Sequence, residues 1–137
     1  MVKRPGTLRS EANLILSGVQ TDFNRVSGSV GLAATSVWRR KYSHPDFDWD
    51  SEWVYTEKSG AEVDPIDTLE KLKNSLHGFN HRILKACREE SLSVSISIIA
   101  WHDRSHYNTH IPLRLVRWIA SLEAKLIVDH VFMGDQD

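Results

Sequence analysis

Residues 92–100 read Leu-Ser-Val-Ser-Ile-Ser-Ile-Ile-Ala, and this stretch decides the fold class. Small polar side chains alternate with large aliphatic ones, and successive side chains of a strand point to opposite faces of a sheet. The apolar face comprises Leu92, Val94, Ile96 and Ile98, and the polar face comprises Ser93, Ser95 and Ser97. A strand with two such different faces predicts a sheet that helices cover on one side only.

The segment before this strand predicts a long amphipathic helix. Asp64 is a suitable N-cap and Pro65 suits the first helical position. Apolar residues then recur at steps of three and four: Ile66, Leu69, Leu72, Leu76, Phe79, Ile83 and Cys87. We therefore expect one helix to about residue 90, with Gly78 as its weak point and Cys87 as a buried structural thiol.

The remaining elements follow from alternation, caps and breakers. They are a strand over residues 9–18, a short helix from Thr21 or Asp22 to Gly31, strands over 35–40 and 52–57, a helix from Pro112 and a strand over 125–133. The order β-α-β-β-α-β-α-β predicts an α+β fold: a ferredoxin-like β-α-β-β-α-β core extended by α-β. We expect a mixed, mostly antiparallel five-stranded sheet in a single domain over residues 9–133, after a flexible N-terminus of residues 1–8.

Composition narrows the function classes. The 137 residues carry a formal net charge of −1, which gives no general attraction for nucleic acid. No apolar run reaches the roughly 20 residues that a membrane span needs, and residues 1–10 show no apolar signal region. The single cysteine fits a reducing compartment. These features predict a cytoplasmic protein that binds neither nucleic acid nor membrane.

Four short segments resemble a known family. They are Leu-Ala-Ala-Thr-Ser-Val-Trp-Arg-Arg at 32–40, Ser-Glu-Trp-Val-Tyr at 51–55, His-Ile-Pro-Leu-Arg-Leu-Val at 110–116 and Leu-Glu-Ala-Lys-Leu-Ile-Val-Asp at 122–129. Together they are similar to segments of a bacterial family of domains of unknown function, the one numbered 4279. The resemblance spans about residues 9–133 and supports the fold, but it implies no established activity.

Histidines spaced four apart make residues 102–110 a candidate metal or ligand site. They are His102, His106 and His110. On a helix this spacing would place all three on one face, as zinc requires. The intervening Asp103, Ser105, Asn108 and Thr109 favour a loop instead, so we expect no metal site and no catalytic residue here. A small-ligand or metal-binding domain that uses this loop is the alternative function.

An acidic series offers a second metal candidate. Asp46, Asp48, Asp50, Glu52 and Glu57 occupy positions 1, 3, 5, 7 and 12 of an EF-hand-type loop. Position 6 is Ser51, where the sharp turn of a calcium loop needs glycine, and Pro45 directly precedes the series. The acidic residues are therefore predicted to form the outer face of an aromatic strand, and no cofactor is expected.

Five tryptophans are the compositional indication of function, because tryptophan and arginine are favoured at protein interfaces. The candidate interaction surface comprises Trp38, Arg40, Tyr42, Phe47, Asp48, Trp49 and Asp50. The local alternative is a charge pair between the basic and acidic stretches with Trp38 in the core. We expect a non-catalytic bacterial binding domain with a protein partner, in a specific form an immunity-type protein that neutralises a toxin; the oligomeric state stays open.

Overall fold

The computed structural model describes residues 5–41, 48–104 and 108–134. No helix within these ranges is long and apolar enough to cross a membrane. The element order is that predicted from the sequence, except that two helices stand where one long helix was expected. The elements are β1 (Thr7–Gly18), α1 (Phe23–Val30), β2 (Ser36–Arg39), β3 (Ser51–Ser59), α2 (Pro65–Ser75), α3 (Asn80–Glu90), β4 (Ser93–His102), α4 (Leu113–Ser121) and β5 (Lys125–Phe132).

The strands form one five-stranded sheet in the order β2-β3-β1-β4-β5. β1 is central and pairs antiparallel with both β3 and β4. The pair β2–β3 is also antiparallel, whereas β5 lies parallel to β4. The predicted mixed, mostly antiparallel sheet is therefore confirmed. The ferredoxin-like description of the first six elements remains a prediction.

The core lies between the sheet and the helices. Leu14 of β1 stands opposite Tyr55 of β3 and Ile96 of β4, so residues that face the helices share one row. Leu14, Ile96 and Ile98 are buried, as the alternation predicts. The serines of β4 lie on the other side of the sheet, which we call the open face. The register predicted for β4 is thus confirmed, although Leu92, just outside the strand, is only half-buried.

The long helix predicted over residues 64–90 is wrong in one respect: it is two helices. α2 ends at Ser75 and α3 begins at Asn80, and Gly78 between them has φ of +84°. Glycine adopts this left-handed conformation without the steric cost that other residues incur. The apolar spacing runs on through the break because Leu76 and Ile83 are both fully buried against the same core.

Local capping determines where the helices begin and end. The Asp64 side chain accepts a hydrogen bond from the Ile66 amide at 2.9 Å, which confirms the predicted cap. Asp22 caps α1 by accepting from the Arg25 amide at 3.1 Å. Gly31 ends α1 with φ of +85°. Of the two residues predicted as alternative caps, the structure selects Asp22, while Thr21 is buried against Ser51.

Candidate functional site

The open face of the sheet has a polar centre whose groups satisfy one another. Thr56 of β3 donates to the Asn13 side-chain oxygen at 2.6 Å, and the Asn13 amide donates to Ser97 of β4 at 2.9 Å. Asn13 and Ser97 are only 5% and 3% exposed. This row stabilises three neighbouring strands and leaves few polar atoms for a ligand, so a binding site is better sought towards the edges of the open face.

At the β2 edge of the open face, two tryptophans and an arginine form a cluster. The Trp38 and Trp49 rings meet edge to face, with centroids 5.7 Å apart and an interplanar angle of 61°. The Arg40 guanidinium lies 5.6 Å from the Trp38 centroid and 5.3 Å from the Trp49 centroid. Both distances suit cation–π attraction. We call Trp38, Arg40 and Trp49 the tryptophan cluster.

The strand register places this cluster on the surface. Trp38 is directly opposite Glu52, and Val37 is opposite the fully buried Trp53. Because alternate residues of β2 point to opposite faces, Trp38 points away from the helices. It is 44% exposed. The alternative that placed Trp38 in the core is therefore wrong; Trp53 and Trp118 are tryptophans of the core.

The two described acidic members of the predicted surface differ in role. Asp48 is exposed. The Asp50 carboxylate accepts a hydrogen bond from the main-chain N–H of Gln20 at 2.8 Å, and the Asp50 main chain bonds to the main chains of Gly18 and Arg40. Asp50 thus connects the turn after β1 to the β2–β3 pair, which is a structural role. Tyr42 and Phe47, also predicted for this surface, lie outside the described residues, as does Asp46 of the acidic series.

Glu52, which the sequence placed in the acidic series and on its outer face, is also a residue of this site. It lies between Trp38 of β2 and Ser17 of β1 in one row across the sheet. Burial raises the pKa of the Glu52 carboxyl, and a hydrogen bond with the Ser17 side chain lowers it in part. Water is withheld from this carboxylate by neighbours from other strands, which alternation within β3 could not reveal. The structure therefore places a poorly solvated acid beside the tryptophan cluster.

A small cavity of about 160 Å³ adjoins the cluster. Its lining includes Ser17, Asp48, Trp49, Glu90 and Ser93. Two carboxylates, an indole and two hydroxyls make this lining acidic and amphipathic. Glu90 is engaged by Arg25 at 3.4 Å, with most of the arginine side chain in solvent. The chemistry of the lining suits the charged end of a lysine or arginine side chain.

Of the three candidate histidines, His102 and His110 lie within the described residues, and they differ in burial. His102, at the end of β4, is 1% exposed, and its Nε2 lies 2.8 Å from Nδ1 of His130 in β5. His130 Nε2 in turn lies 3.1 Å from the Thr109 hydroxyl. His110 is exposed, and His106 lies outside the described residues. The sequence does not indicate His130, because no spacing pattern connects it to the 102–110 loop.

Metal and thiol chemistry receive no support from the described residues. No group of three or more His, Cys, Asp or Glu side chains in the described ranges could hold a metal ion. Glu52 and Glu57 lie in the extended strand β3, a conformation unlike that of a calcium loop. Cys87 is buried, and this burial raises its pKa to about 11, so its thiol is protonated at neutral pH.

Comparison with known proteins gives one match. The family model described as domain of unknown function (DUF4279) matches residues 7–132, from the first residue of β1 to the last residue of β5. No curated protein and no solved structure matches the chain. The matched range contains all nine elements of the described fold and the whole candidate site, and the chain therefore belongs to the DUF4279 family.

Proposed function

We propose that this protein is a non-catalytic interaction domain that binds a basic protein partner through the tryptophan cluster and Glu52. One observation carries the proposal: a part-exposed tryptophan pair that holds an arginine lies beside a partly buried carboxylate. Each component has a recognised role in protein association. No described arrangement supplies an activated nucleophile, so binding explains the site better than catalysis.

The aromatic part of the site supplies binding area. Tryptophan and arginine are the residues most enriched among those that dominate interface energies. Trp38 and Trp49 already contact each other, and Arg40 lies against both rings. Side chains ordered before association lose less conformational entropy when a partner binds. The cluster is thus suited to act as a preorganised anchor.

The acidic part supplies charge preference. An ionised Glu52 is disfavoured by burial, and a lysine or arginine of a partner would favour the ionised form. Asp48 and the acidic cavity lining add negative charge near the same point. Such a surface would increase the rate of encounter with a basic partner and oppose an acidic one.

The specific form that we propose is an immunity-type protein of a bacterial cytoplasm that neutralises a toxin. Its support is the combination of a small domain, an exposed aromatic anchor and a nearby acidic cavity. A toxin with a basic active surface would present the complementary charge. Neutralisation by occlusion needs no catalytic group in the inhibitor.

Partner recovery from the native host tests this function. Tagged wild-type protein should recover a protein partner, and the double substitution Trp38→Ala with Trp49→Ala should reduce recovery by at least about tenfold, as expected when two anchors are lost. Trp101→Ala is the matched control, because it removes a tryptophan at the far end of the open face. Equal recovery by all three proteins would refute the proposal.

The contact between His102 and His130 favours a second candidate, a small-ligand or metal-binding domain. Their ring nitrogens converge beside Thr109, which belongs to the 102–110 loop. The double substitution His110→Ala with His130→Ala distinguishes the two candidate functions in the same recovery experiment. Loss of the partner in this variant, with retention in the tryptophan variant, would favour the histidine site.

A further inference from the structure

β5 is a long edge strand that neither proline nor a bulge interrupts. It is the outermost strand beside β4, and within the described residues no strand pairs with its other side. Edge strands are ordinarily short, bent, charged, or interrupted by proline or a bulge, since an open edge can pair with another chain. β2, at the opposite edge, has only four residues. β5 has eight residues without proline or glycine and pairs with β4 in an unbroken register.

The side chains of β5 are unusually apolar for their exposure. Leu126 and Val128 are 40% and 38% exposed. Their partners in β4 on the same face, Ile96 and Ile98, are 0% and 1% exposed. The helices therefore cover β4 and leave β5 incompletely covered. Ile127, on the open face, is 39% exposed, so both faces of the edge carry apolar surface.

The charges of β5 are self-complementary. Consider two copies whose β5 strands pair antiparallel about a two-fold axis that passes between their Ile127 residues. Lys125 of each copy then stands opposite Asp129 of the other. The same register places Leu126 opposite Val128 and Ile127 opposite its own copy. Opposite charges and aliphatic pairs across antiparallel strands are both stabilising. A register centred on Asp129 would instead place the two Asp129 side chains opposite each other.

We propose that the protein forms a two-fold symmetric dimer in which the β5 strands of two copies pair antiparallel about Ile127. The two sheets then form one continuous sheet, with the helices of both copies on the same side. This arrangement satisfies the outer main-chain groups of β5 and shields Leu126, Ile127 and Val128. The inference goes beyond the proposed function, because the tryptophan cluster lies at the opposite edge and stays accessible in each copy.

Charge reversal tests the register. Sedimentation velocity of the full chain over the micromolar range should show a dimer. Lys125→Glu and Asp129→Lys should each weaken dimerisation by about tenfold, because each converts two attractive pairs into repulsive ones. The double variant, Lys125→Glu with Asp129→Lys, should restore it. Lys85→Glu on the exposed side of α3 is the matched control and should leave the mass unchanged.

Ile127→Lys provides a second test that does not depend on charge pairing. It places two like charges at the axis and should yield a monomer, while circular dichroism shows the wild-type fold, since the side chain lies at an exposed edge. A monomeric wild-type protein, or a dimer that survives Ile127→Lys, would overturn the proposal. So would single reversals that the double variant fails to rescue. The readout is mass, so failure here is distinct from failure to recover a partner.

Discussion

At the scale of the residue, Glu52 shows best how tertiary structure changes a side chain. The alternation in β3 indicates only that it lies on the acidic side of the strand. Its environment comes from Trp38 and Ser17, which belong to two other strands. A carboxyl whose pKa is raised by burial is less stable when ionised than it would be in water. Glu52 thus disfavours folding at neutral pH, a cost that is common at functional sites.

Replacement of Glu52 by glutamine should stabilise the free protein at neutral pH. The pKa of Glu52 in the folded state lies above its ordinary value of 4.5. Protonated Glu52 therefore contributes stability that is fully present below pH 4.5. This stability is lost as pH rises through the folded-state pKa. Glutamine cannot ionise, so Glu52→Gln should raise the melting temperature at pH 7, by an amount that decreases towards pH 4.

Glu89→Gln is the control for this substitution, because Glu89 is exposed on α3 beside Lys85. It should change the melting temperature little at either pH. Thermal melts followed by circular dichroism provide the measurement. If the two variants gave the same profile against pH, the desolvation of Glu52 would not be supported.

At the scale of the element, helix and strand bounds follow from short-range rules, and the exceptions are informative. The cap at Asp64 and the glycine at position 31 act within a few residues, so the sequence predicts them, and it narrows the cap of α1 to Thr21 or Asp22. The sequence pattern does not reveal the break at Gly78, because the apolar spacing continues through it. Periodicity reports which residues are buried, and two helices that bend around one core can share a single periodic pattern.

The core residue Leu76 and the N-cap residue Asp64 should contribute unequally to the stability of the fold. Leu76→Ala removes a fully buried side chain at the end of α2 and should lower the free energy of unfolding by roughly 2–5 kcal/mol. Asp64→Ala removes the hydrogen bond to the Ile66 amide and should cost about 1 kcal/mol. Denaturant melts measure both. Equal and negligible effects would contradict the packing described for α2.

At the scale of the whole molecule, the strand order brings together residues that are remote along the chain. His102 meets His130 because β5 lies parallel to β4 at the edge of the sheet. The 102–110 spacing had suggested a different partnership, in which the loop histidines meet one another. His102 and His130 could supply two zinc ligands, whereas a structural zinc site ordinarily has four.

Zinc titration distinguishes a hydrogen-bonded pair from a metal site. Calorimetry of metal-free protein should show no stoichiometric zinc binding at micromolar concentration. A hydrogen bond between the rings of His102 and His130 would account for their short distance without a metal. Tight binding that His130→Ala abolishes would contradict this expectation and favour the histidine site.

The sequence by itself determined the element types, the α+β class and the inward face of β4, together with the N-cap at Asp64. Each of these depends on contacts within one or two turns of helix or on the two-residue period of a strand. Only the tertiary structure decided the exposure of Trp38, the desolvation of Glu52, the His102–His130 contact and the edge position of β5. These depend on which strands become neighbours, and neighbours such as His102 and His130 are 28 residues apart. The periodicity of one helix or strand shows which of its faces is buried. It does not show which distant residues lie against that face.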